Sequence, residues 1–157
     1  LAAEAGLSVT SLPMCNMFLQ GRTPDQTPRW RGVTILHEFK NCDIPVAIAS
    51  DNARDPFYAY GDLDAAEVFT QAVRIAQLDY PVGDWPMAVT RTPADIMGLP
   101  DTGRLKVGVP ADIVIFRARS YSELLSRPQG DRRVLRHGLE IETTPPDYRE
   151  LDDLVGY

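Results

Sequence analysis

The chain has 157 residues, 44% hydrophobic and 24% charged, and Asp plus Glu outnumber Lys plus Arg by 22 to 16, for a net charge of −6. A chain of this length buries roughly 70% of its unfolded surface, enough for a real core, and an acidic chain without a Lys/Arg run lacks the footprint of a nucleic-acid binder. No apolar stretch approaches the roughly 20 residues of a membrane span, and Leu1-Ala2-Ala3-Glu4-Ala5-Gly6 has neither the cationic nor the apolar region of a signal peptide.

In chain order, Leu1 to Leu7 predicts the end of a helix stopped at Gly6, as if the chain began inside a fold. Ser8 to Asn16 carries Val9, Leu12, Met14 and Cys15 with little charge and predicts a buried strand over about 9–15, disturbed by Pro13. Gln20 to Arg29 is rich in Gly, Pro and Thr and reads as a long loop. Val33, Leu36 and Phe39 fall at helical spacing and predict a helix over 33–41. Pro-Val-Ala-Ile-Ala-Ser at 45–50 is uncharged and non-alternating, the pattern of a strand covered on both faces in a parallel sheet.

A polar and aromatic loop comes next, from Asp51 to Gly61. Asp64 and Glu67 make a capping box for a helix whose apolar stripe is Val68, Phe69, Ala72, Val73 and Ala76. A miniature helix is expected with Thr92 as its cap, Pro93 at its first position and Gly98 as its stop. Beyond it the pattern becomes β: one strand over 111–116, and two over 134–141 joined at His137-Gly138. The stretch 144–157 is acidic and reads as a surface tail. Cys15 and Cys42, few and far apart, read as two reduced, buried thiols of a cytoplasmic protein, and no zinc-ligand spacing is present.

The expected fold is therefore α/β, a parallel first part with a small β appendage. Two parallel strands cannot close a barrel or cover a sheet, so further strands must come from outside this stretch, before Leu1 or from another chain. Parallel folds build sites at the carboxyl ends of strands, which singles out Asn16 and the run Ser50-Asp51-Asn52. Asp51 has two readings: a carboxylate that binds a divalent metal and takes a proton from activated water, or an Asx-turn residue that caps the next segment. Phe57, Tyr58 and Tyr60 offer rings to a planar ligand or to loop packing, and Arg22 and Arg54 read as an anion contact or as solvated charge. His37, inside a helix, and His137, in a turn, have no partner at ligand spacing and read as structural or exposed.

The segment Ala94-Asp95-Ile96-Met97-Gly98-Leu99, then Gly103, then Leu105 to Phe116 resembles the C-terminal signature of the amidohydrolase superfamily. Asn16 to Arg22, Arg31-Gly32-Val33-Thr34 and Ser50-Asp51-Asn52 with Asp55-Pro56-Phe57-Tyr58 and Gly61 resemble its cytosine deaminase branch. The resemblance runs from about Leu12 to Ile141. It implies the C-terminal part of a metal-dependent (β/α)8 TIM barrel plus a small β-sandwich subdomain. Residues 1–100 would carry the last two barrel strands, 101–143 the subdomain strands and 144–157 a tail.

By that resemblance Asp51 would be a ligand of one Zn or Fe ion and the group that accepts the proton of the attacking hydroxide. Phe57 falls where the branch places a Trp against the substrate ring, Asn52 where it often has an Asp touching the substrate, and Asn16 joins them as a contact. An Asn both donates and accepts where an ionised Asp only accepts, so the ring edge being read differs from that of cytosine. The resemblance implies deamination of a cytosine-like aminopyrimidine, or of an aminotriazine as in N-isopropylammelide amidohydrolases, by a protein that forms a homo-oligomer or acts alone. The family's His-x-His pair is missing, and a lone carboxylate does not hold a catalytic zinc. The other ligands would lie in an N-terminal remainder of the barrel. The rival expectation is a non-catalytic fragment or subunit.

Overall fold

The computed structural model describes residues 1–156; Tyr157, the last residue of the expected tail, lies outside the described residues. Strand β1 (Val9–Ser11) is shorter than expected, because the chain turns into helix α1 (Pro13–Leu19). Pro13 sits in the first turn of that helix, where its missing N–H costs nothing and its fixed φ suits the geometry. Apolar residues 13–15 are thus buried by a helix, and Asn16 stands on α1 rather than at a strand end. Residues 1–7 form the expected helix end as a single turn: the Ala5 amide donates to the Leu1 carbonyl at 2.9 Å, and Gly6, at φ +64°, stops it with the Gly6 amide on the Ala3 carbonyl at 3.0 Å and the Leu7 amide on the Ala2 carbonyl at 3.2 Å.

Helix α2 (Leu36–Asn41) begins three residues later than the apolar spacing predicts and leaves Val33 exposed outside it. Strand β2 (Val46–Ile48) is buried at all three residues. It lies parallel to β1, with Val9 opposite Val46, Thr10 opposite Ala47 and Ser11 opposite Ile48.

Helix α3 (Ala65–Ala76) follows the expected stripe, with Val68, Phe69, Ala72 and Val73 buried against α1 and β2. Asp64 Oδ1 caps it, accepting from the Ala66 amide at 2.9 Å, but Glu67 does not return the bond and no box closes. The second Asp64 oxygen instead meets Arg132 Nη1 at 2.7 Å. A 3-10 helix (Trp85–Val89) brings Trp85 and Ala88 into the same core and runs on into α4 (Arg91–Ile96). Thr92 and Pro93 are therefore inside α4 instead of capping and opening it. Thr90, the residue before it, spends its hydroxyl on the Pro86 carbonyl at 2.9 Å.

Strands β3 (Ile113–Ile115), β4 (Arg133–Arg136) and β5 (Leu139–Glu140) form one antiparallel sheet in the order β3-β4-β5. The β4–β5 turn at His137-Gly138 is the expected one, and Asp112 Oδ1 accepts from the His137 amide at 2.8 Å. Between β3 and β4 lies α5 (Tyr121–Ser126), which the apolar pattern does not announce. Its signal is polar: Ser120 accepts from the Glu123 amide at 3.2 Å, the Ser-x-x-Glu spacing of an N-terminus. Arg74 on α3 donates to the Leu125 carbonyl at 2.5 Å and fastens α5 to the core. The chain closes with a 3-10 helix (Tyr148–Leu151) and α6 (Asp152–Val155), both on the surface. No described helix is long and apolar enough to cross a membrane.

Candidate active site

The carboxyl ends of β1 and β2 lie side by side, tied by the Ala49 amide donating to the Ser11 carbonyl at 3.0 Å. The Ser11 hydroxyl is buried there and has no hydrogen-bond partner, a feature that nothing in the sequence pattern marks. Past β2 the backbone bends sharply at Asp51, whose φ is +68°. A non-glycine residue in that region costs about 1–3 kcal/mol, and Asp is among the types that tolerate it. Asp51 as a residue is exposed, with its carboxylate near the buried Cys15 thiol.

The Asx-turn of this loop belongs to Asp55. Its Oδ1 accepts from the amides of Phe57 and Tyr58, both at 2.8 Å. Two backbone bonds close the loop further, Arg54 N to Tyr60 O and Asp55 N to Tyr58 O, each at 3.0 Å. The Tyr58 amide, then the Asn52 side chain, hold the Asp55 carboxyl below the usual carboxylate range.

Asn52 is fastened at both ends of its amide. Its Oδ1 accepts from the Cys15 thiol at 3.3 Å, and its Nδ2 donates to Asp55 Oδ2. Cys15 is fully buried. Burial, then the nearby Asp51 carboxylate, pushes its thiol above the ordinary value, which keeps it a protonated donor. The expectation of a buried thiol holds for Cys15, whereas Cys42, just past the end of α2, is exposed.

The aromatic residues divide. Tyr58 is in the core, edge-on to Phe18 of α1 with centroids 4.9 Å apart, and it packs the loop down. Phe57 points outward and is 66% exposed. Tyr60, also exposed, meets Phe18 edge-on at 5.6 Å. The two arginines rest on rings: Arg22 lies 4.0 Å from the Phe18 centroid and Arg54 lies 4.3 Å from that of Tyr148. Asn16 is half-buried on α1, directly after Cys15.

His37 bonds the Ala76 carbonyl at 3.1 Å and stands edge-on to Trp85 at 5.0 Å, joining α2 to the end of α3. Among the described residues no three His, Cys, Asp or Glu side chains come together in a way that could hold a metal ion. Asp51 offers one carboxylate, and a catalytic zinc takes three protein ligands. This chain's own residues therefore do not make up a metal site.

A parallel pair with a polar loop at its carboxyl end places the chain among α/β proteins that assemble sites in that position. Residues 1–141 match the amidohydrolase family, and the chain belongs to it. Members of that family are generally metal-dependent. A pterin deaminase of Rhizobium rhizogenes is 60% identical over 156 residues, covering 99% of this chain and 36% of the relative. Two crystal structures of a 5-methylcytosine deaminase from Klebsiella pneumoniae, one liganded with 5-fluorocytosine and one with phosphonocytosine, each superpose with a TM-score of 0.73. Their identities to this chain are 27% and 29%; the match covers 94% of this chain in both cases, and 37% and 36% of theirs. The chain thus spans about a third of the length of these relatives.

Proposed function

We propose that the intact protein hydrolyses the exocyclic C–N bond of a pterin-like aminated heterocycle and releases ammonia. In this reading residues 1–100 supply the last two strands of a (β/α)8 barrel with their helices, 101–143 supply strands of an appended β-sandwich, and 144–157 a tail. The observation that carries the reading is the 60% identity to a pterin deaminase along nearly the whole chain. The more distant likeness to a 5-methylcytosine deaminase supports the same reaction on a smaller ring. A single zinc or iron ion of the family kind needs donors from beyond this chain, so the chain alone is inactive.

Asp51 is the proton carrier. Water adds across the ring C=N at the carbon that bears the amine, and its first proton ends on the ring nitrogen. Asp51 takes the second proton from the new hydroxyl and passes it to the amine. The C–N bond then breaks, ammonia leaves and the carbonyl forms. The exposed ring of Phe57 supplies a face against the heterocycle, and Asn16 a polar contact beside it.

Ammonia release by the intact protein, measured with a pterin, cytosine and an aminotriazine, tests the reading. The pterin should exceed the others in kcat/KM by about tenfold at the least, because a site built to hydrogen-bond one ring edge leaves its polar groups unpaired against another. Asp51→Ala should lower kcat by roughly 10²–10⁴ with an unchanged circular dichroism spectrum. Near-normal turnover in that variant would remove Asp51 from the chemistry. Preference for cytosine or the triazine would overturn the pterin assignment.

A further inference from the structure

Asn52 directly follows the residue that the proposed reaction needs most, and its side chain is committed within the chain. The Cys15 thiol donates to Oδ1 at 3.3 Å while Nδ2 donates to Asp55. Asp55 is in turn held by the amides of Phe57 and Tyr58. One N–H and one lone pair of the amide stay free, but the two bonds fix its plane, and turning it to follow a ring would break one of them. The residue type fits this duty. An Asp at position 52 would set a second carboxylate against Asp55 and offer it no proton, whereas Asn donates to Asp55 and accepts from Cys15 at once.

We infer that Asn52 is a positioning residue: with Cys15 and Asp55 it clamps the loop after β2 onto α1 and so sets where the Asp51 carboxylate points. Cys15 lies on the helix after β1 and Asn52 on the loop after β2, 37 residues apart, so the clamp joins the two neighbouring strand ends directly. It also holds the left-handed backbone at Asp51 in place. The kinetic half of this inference rests on the deaminase reading; the structural half does not.

The test uses the intact protein with two readouts. The first is alkylation by iodoacetamide, read by peptide mass spectrometry as the rate at buried Cys15 relative to exposed Cys42. Asn52→Ala should raise that ratio about tenfold or more as the loop opens, and an unchanged ratio overturns the clamp. Asn52→Ser, polar but too short to span both partners, carries the same comparison where Asn52→Ala does not fold. The second readout is steady-state kinetics. Asn52→Ala and Cys15→Ala should each lower kcat about tenfold with KM within about twofold, as a misplaced reacting group does. The double variant should lose no more than either single one, and Cys15→Ser, which keeps a donor, should recover most of the kcat. A large rise in KM at unchanged kcat, or losses that multiply, would give Asn52 to the substrate and overturn the inference. A wild type that deaminates nothing, while the alkylation difference persists, overturns the deaminase reading and leaves the clamp supported.

Discussion

A Cβ added at Gly103 would stand 2.3 Å from the Thr90 carbonyl oxygen and 2.6 Å from its carbon, and the backbone there has φ +71°. Gly108 shares the left-handed conformation, at φ +88°, but has open space around it. The pair separates two costs. Gly108→Ala should lower the unfolding free energy by about 1 kcal/mol, the backbone part alone. Gly103→Ala should lose a further 1–3 kcal/mol, roughly the cost of overpacking against a backbone group that cannot swing aside. Urea denaturation of the two variants beside the wild type measures the difference, and equal losses would mean that the Thr90 carbonyl moves freely. Both glycines are visible in the sequence, and Gly103 belongs to the run that resembles the amidohydrolase signature. The reason for Gly103 is not visible there, since the group it must clear lies thirteen residues back, before α4. The same limit applies at the site. Asp51 is legible because it ends an uncharged run. The engagement of Asn52 is not, because it depends on α1 folding back beside the loop.

Helix α3 is legible almost entirely, since its stripe and its Asp64 cap are local features that need no knowledge of the rest of the fold. Strand β1 is harder to delimit. An uncharged run of seven residues, Val9 to Cys15, has no period that separates a short strand plus helix from one strand, and Pro13 breaks a strand as readily as it opens a helix. Asp64 adds something beyond its cap. It faces the Ala66 amide on one side and Arg132 on the other, where both side chains of the pair are about a quarter exposed, 28% and 26%. It therefore ties α3 to the segment just before β4. Asp64→Ala should cost about 1–2 kcal/mol, roughly 1 for the cap and up to 1 for a partly screened ion pair. Asp64→Ser, which keeps a capping oxygen but no charge, should recover the larger share. Thermal or urea unfolding of the two variants checks this, and equal losses would assign the whole effect to Arg132.

At the scale of the molecule, the described parallel sheet has two strands and therefore two edges, each carrying peptide groups that no further strand among the described residues satisfies. The sequence already implies this shortage, because it offers two parallel strand patterns where a closed barrel requires many. What it does not reveal is where the remaining apolar surface falls. Trp30 in the loop between α1 and α2 is 90% exposed, and Leu105 and Val107, ahead of β3, are 81% and 98% exposed. Open edges together with bare apolar side chains invite pairing with whatever strand is at hand, and a net charge of −6 opposes that only weakly at ordinary salt. Residues 1–157 produced alone should therefore bind 8-anilinonaphthalene-1-sulfonate and self-associate at micromolar concentration in sedimentation velocity runs. The intact protein, if earlier strands cover the edges as proposed, should stay dye-silent and sediment as one discrete species. A monomeric, dye-silent chain of residues 1–157 that unfolds in one sharp transition would mean that the pair β1–β2 is sufficient as it stands, and the case for missing strands beside it would fall.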